Sequence, residues 1–158
     1  LKRLGLAIAL LLFSLVPLFS LFPTAAFGAA ATPVGDWLTA GGGAVIHIAP
    51  CGDGYCGAIS GMRFDHPGDP MPLDWQGNPQ CGLTIVQTTS ETTGSNGIVW
   101  QGVVLDPRNG VSHPALLSFD TSGNLVLRGY LLIPLLGEST TWTAYKGGKI
   151  LPKCHLPS

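Results

Sequence analysis

From residue 35 onward, short apolar runs are cut at fairly even intervals by turn-forming residues, and this punctuation restricts the fold more than any other feature. A first run at 36–40 is closed by Gly41, Gly42 and Gly43, and a second follows at 44–49. Asp53-Gly54 reads as a tight turn into a third run at 56–64. The stretch from Asp65 to Pro79 contains Pro67, Pro70, Pro72 and Pro79, which excludes a regular element. Runs at 82–89 and 97–105 flank a polar segment, Ser-Glu-Thr-Thr-Gly-Ser-Asn. Asp106-Pro107-Arg108-Asn109-Gly110 is a turn, because Asn-Gly tolerates the positive φ that hairpins demand. Runs at 112–119 and 125–133 are joined through 120–124, and 140–145 is the last. About eight strands result, each next to its sequence neighbour, and no stretch carries the apolar period of a helix.

Composition agrees. Of 22 glycines 20 lie past residue 30, as do 11 of 13 prolines, which excludes a helical bundle for that part. A meander of this length closes into a barrel or splits into two packed sheets. Closure removes the two exposed edges, which suits a domain with few lysines to guard them. In the run at 97–105, Ile98, Trp100 and Val104 alternate with Val99, Val103 and Leu105, so both faces are apolar and both need cover. The predicted fold is an all-β, small antiparallel meander barrel whose interior is filled or holds one small ligand. Gly57, Gly61, Gly82, Gly102 and Gly129 favour room or bending within it, whereas the modest length favours a filled core.

Ahead of that domain, Lys2-Arg3 precedes an uncharged apolar stretch, then small residues around 24–26 and 28–31. A basic head, an apolar core and a small-residue exit describe a secretory signal peptide. Pro17 and Pro23, and the lack of a charged stop, argue against a lasting membrane span. We therefore expect a signal peptide at 1–31, no stable span after cleavage, and a single barrel domain with a C-terminal tail at 32–158. The expected location is periplasmic or secreted.

All four cysteines lie in that domain, and an even number in an oxidising compartment implies two disulfides. Cys51 and Cys56 enclose four residues and can bridge a hairpin, leaving Cys81 to pair with Cys154 and staple the tail. A Cys56–Cys81 bridge is the rival pairing.

Several ordered stretches carry a resemblance. Gly35-Asp36-Trp37 is similar to the Gly-x-Trp that opens lipocalin-like barrels. Ile46 to Gly52, Tyr55-Cys56-Gly57, Cys81-Gly82-Leu83, Trp100-Gln101-Gly102, Asp106-Pro107, Gly110, Leu127-Arg128-Gly129-Tyr130, Gly137 and Trp142-Thr143 follow in the order of a bacterial family. Together they resemble the exported family called domain of unknown function 2147. The resemblance implies a small lipocalin-like barrel with no established activity. It also exposes departures: Ala58 and Ala144 stand where the family usually carries arginine, and His113 where it tends to carry tyrosine. Arg128 remains at a matching position, so a charged ligand of relatives is not carried over.

Chemistry is sparse. A net charge of -1 excludes a strongly basic nucleic-acid binder. His47, His66, His113 and His155 lack the spacing of a zinc motif, and no metal site or cofactor is expected. No Gly-x-Ser-x-Gly elbow occurs, and Ser112 and His113, adjacent on a strand, point to opposite faces. No catalytic residue is assigned. Arg128 lies in an apolar strand and calls for a partner, with Asp36 and Asp106 the expected carboxylates in a structural pair at the rim. Trp37, Trp100 and Trp142 read as packing residues, and Trp75 as a lid or contact residue in the proline-rich loop. Candidate ligand-binding residues are Trp75, Trp100, Arg128 and Tyr130. The functional expectation is a barrel that binds a small apolar ligand or an envelope partner. A purely structural or stress-related domain with a packed core is the alternative, and a hydrolytic enzyme the third.

Overall fold

Turn chemistry sets where the strands end. Gly52 adopts φ 56 at the first central position of the turn between β2 (Ala44–Cys51) and β3 (Gly54–Met62). That conformation suits a two-residue hairpin turn with glycine first. The turn is thus centred on Gly52-Asp53, one residue earlier than the expected Asp53-Gly54. The structure, a computed structural model, describes residues 31–66, 68–94 and 97–157; the expected signal segment lies outside them, apart from Ala31.

β1 (Gly35–Leu38), β2, β3, β4 (Thr84–Gly94), β5 (Gly97–Leu105), β6 (Ser112–Phe119), β7 (Leu125–Tyr130) and β8 (Gly137–Ala144) pair in sequence order, all antiparallel. β8 returns to β1 through Trp37 opposite Ala144 and Leu38 opposite Thr143, and closes the barrel. The expected all-β meander barrel of eight strands is therefore the fold.

β1 to β3 begin or end one or two residues from the expected runs, and three boundaries differ by more. β7 stops at Tyr130 rather than residue 133, since Pro134 lacks an N–H and the chain turns at Pro134–Leu136. β8 begins at Gly137, because β7 supplies partners for Glu138, Ser139 and Thr140 despite their weak local pattern. β4 runs on to Gly94, so the polar stretch after Thr89 is a hairpin arm paired with β5.

Period-two alternation sends one face of every strand inward. Trp37, Ile46, Ile48, Val86, Trp100, Leu117, Leu125, Leu127 and Trp142 form the buried core. Trp100 and Trp37 lie 5.7 and 5.9 Å from the Phe119 ring, and Tyr55 meets Trp100 edge-on. Trp37 Nε1 donates to the carbonyl of buried Pro33 at 2.8 Å, so the entering chain and these rings close one end of the barrel. The connections at 39–43, 63–83, 106–111 and 131–136 gather at the opposite end.

Disulfides Cys51–Cys56 and Cys81–Cys154 are both formed, as the preferred pairing requires. Cys51 is opposite Gly54 and Cys56 opposite Ala49, so the first bridge is diagonal across the hairpin rather than between facing residues. The second holds the tail against β3. There the Leu156 N–H donates to the Met62 carbonyl at 3.0 Å, His155 stacks on Phe64 at 4.1 Å, and Gly61 leaves space that Leu156 and Ile150 occupy.

Candidate functional site

The open end of the barrel is the most chemically legible recess. β5, β6, β7 and β8 carry no register slip against one another, so their inward faces can be followed to the rim. Counting by twos from buried Trp100, Leu117, Leu127 and Trp142 brings Val104, His113, Gly129 and Glu138 to the inner side. With Tyr130, Leu131 and Leu136 they line a recess of about 330 Å³. Space there comes from Gly129: a β-carbon on it would meet Val104 at an ordinary 3.6 Å, so the position is roomy. The walls are aliphatic and aromatic apart from the imidazole of His113 and the carboxylate of Glu138. Such a lining solvates an apolar molecule and offers two polar groups to orient it. Below the recess the interior is filled by Trp37, Trp100 and Trp142.

The loop on the rim is organised from below by Arg128. Its side chain points to the outer surface, where Nε donates to the Pro134 carbonyl at 2.6 Å. One terminal nitrogen donates to the Leu135 carbonyl at 3.2 Å and the other to Ser139 Oγ at 2.9 Å. The expected carboxylate partner is therefore corrected to backbone carbonyls. The turn leaves those carbonyls without strand partners, whereas both aspartates are engaged elsewhere. Asp36 lies 2.8 Å from His47 Nδ1. Asp106 accepts from Arg108 Nε and a terminal nitrogen at 3.1 and 2.9 Å. These bonds with Arg108 hold the Asp106 carboxyl below its ordinary value.

Of the remaining candidates only Tyr130 lies at the recess, whereas Trp100 and Trp75 do not line it. Trp100 is 2% exposed, and its Nε1 donates to Glu91 at the closed end, 3.2 Å away. Trp75 packs on Gly110, and its backbone N–H donates to the Pro107 carbonyl, so it clasps the β5–β6 turn. Tyr130 lines the recess. Ser60 Oγ donates to the Val45 carbonyl. Among the described residues, no three His, Cys, Asp or Glu side chains group as metal ligands.

The loop Leu-Leu-Ile-Pro-Leu-Leu at 131–136 was not legible as a surface feature. Its apolar run reads as a buried strand, although a proline inside it marks a break. His113 and Glu138 are revealed as mouth residues only by register.

The model of a family described as uncharacterised proteins conserved in bacteria, DUF2147, matches residues 35–144. The chain belongs to this family. The match begins with β1 and ends with β8, so the DUF2147 region of this chain is the closed barrel itself. Cys154 and the tail it fastens lie beyond the matched residues. No curated protein and no solved structure matches the chain.

Proposed function

We propose that this DUF2147 barrel is an exported binding module that takes a small apolar molecule at its open mouth. The observation that carries the reading is the recess between Val104, Gly129, Leu131 and Leu136, whose volume falls at the small end of ligand pockets. Two disulfides suit an oxidising compartment, and the basic, then apolar, amino-terminal sequence suits export to the periplasm or beyond. A second reading, a structural domain that binds nothing, draws support from the tryptophan-filled lower interior.

A neutral apolar fluorophore such as N-phenyl-1-naphthylamine, titrated into the domain at 31–158, separates the two. Binding at the mouth predicts saturable enhancement that Gly129→Leu abolishes while the circular dichroism is unchanged. Absence of saturable enhancement, or enhancement indifferent to Gly129→Leu, overturns the reading.

A further inference from the structure

The recess at the mouth is lopsided in charge as well as in shape. Glu138 faces inward from β8, and its cross-strand partner on β7 is Gly129, which has no side chain to stand against it. The open space of the recess therefore lies beside this carboxylate, with Val104 and His113 paired across β5 and β6 on the far side. Glu138 is the one fixed charge in the lining, which contains no lysine or arginine. The cations of the surrounding chain are committed or placed elsewhere. Arg128, next to it in the ladder, points outward and is spent on the Pro134 and Leu135 carbonyls and on Ser139. Arg108 is bonded to Asp106. Lys149 and Lys153 belong to the tail that Cys154 fastens to Cys81, and neither lines the recess. Among the described residues Glu138 accordingly makes no ion pair.

We infer that the guest of this mouth is a small apolar amine in its protonated form. Its ammonium group meets Glu138, and its hydrocarbon part lies against Val104 and Leu136 in the space that Gly129 leaves open. The inference rests on the mouth being a binding recess and narrows what that recess takes. An ammonium brings a positive charge and three donors, and charge-assisted hydrogen bonds to a carboxylate are roughly twice as strong as neutral ones. An alcohol of the same length gains the apolar contact without that term. A fatty acid brings its charge to a wall of the same sign, with no lysine or arginine there to offset it. Glu138 is exposed, so water and salt screen the attraction and the preference is about fivefold rather than larger.

The strands, the core and both disulfides lie within residues 31–157, so the domain at 31–158 folds without what precedes it. Octylamine, octanol and octanoate are titrated into it by calorimetry at low salt and about pH 8, where histidines are largely uncharged and an alkylamine stays protonated. Octylamine should bind about fivefold more tightly than octanol, and octanoate more weakly than octanol. Glu138→Gln should bring octylamine to within about twofold of octanol while leaving octanol as it was. Glu138→Lys should reverse the order, so that octanoate binds best. Gly129→Leu should abolish all three with the circular dichroism unchanged. Octylamine binding no better than octanol overturns the inference. So does a preference for octylamine that survives Glu138→Gln, since the attraction then comes from acidic groups outside the recess. In either case a Gly129-dependent fluorophore titration leaves the binding mouth standing. If neither the fluorophore nor any of the three chains binds, the mouth and the inference fall together.

Discussion

Removing the Cys81–Cys154 bridge by Cys81→Ala/Cys154→Ala should destabilise the domain about twice as much as removing Cys51–Cys56 by the same substitution. The bridges span 73 and 5 positions in sequence. Loop-closure entropy makes them worth about 4 and about 2 kcal/mol respectively. The larger figure is a sizeable share of the 5–15 kcal/mol typical of a small domain. On the native side, the tail would retain only the Leu156 contact in the space over Gly61, the His155–Phe64 stack and a few backbone bonds. Urea unfolding without reductant, followed by tryptophan fluorescence, measures both losses. Trypsin cleavage at Lys149 and Lys153 reports whether the tail has come loose. If the Cys51–Cys56 variant loses as much as the Cys81–Cys154 variant at unchanged m-value, enclosed length does not govern the effect and the reasoning fails. Unchanged resistance at Lys149 and Lys153 would show that the bridge is not what holds the tail.

Arg128→Gln leaves at least one of the Pro134 and Leu135 carbonyls without its donor, and should cost about 1–2 kcal/mol. Hydrogen exchange should accelerate at the Leu135 and Leu136 amides while the core amides of β6 stay protected. Trp142→Ala empties a position that is 3% exposed and should cost about 3–5 kcal/mol in chemical denaturation. Asp106→Asn should be less stable than wild type at neutral pH, and the gap should close in acid. The folded Asp106 carboxyl titrates below its unfolded value because of Arg108, so its contribution is full above roughly pH 4 and disappears as pH falls through the folded pKa. Urea midpoints of both proteins from pH 7 to pH 2 check this, and a gap that widens in acid would contradict it.

Most of the barrel was legible because turn residues and two-residue alternation are local properties. Asn109-Gly110, with Gly110 at φ 74, marks its turn wherever the chain goes, and Trp37, Trp100 and Trp142 are too large and apolar to remain in water. The cysteine pairing was legible as a choice between alternatives, since a hairpin brings Cys51 and Cys56 together whatever the rest does. What the tertiary structure alone decided were the features that depend on a neighbouring strand. Glu138 to Thr140 form a strand because β7 presents unpaired backbone groups to them. His113 and Glu138 meet at the mouth because the register of β5 to β8 aligns their inward faces. The same nine-residue apolar run at 125–133 divides at Tyr130: its first half is buried by strands on either side, while the second has no strand partner and is left in solvent. Hydrophobicity states what a segment prefers, but only the surrounding chain determines whether anything is there to bury it.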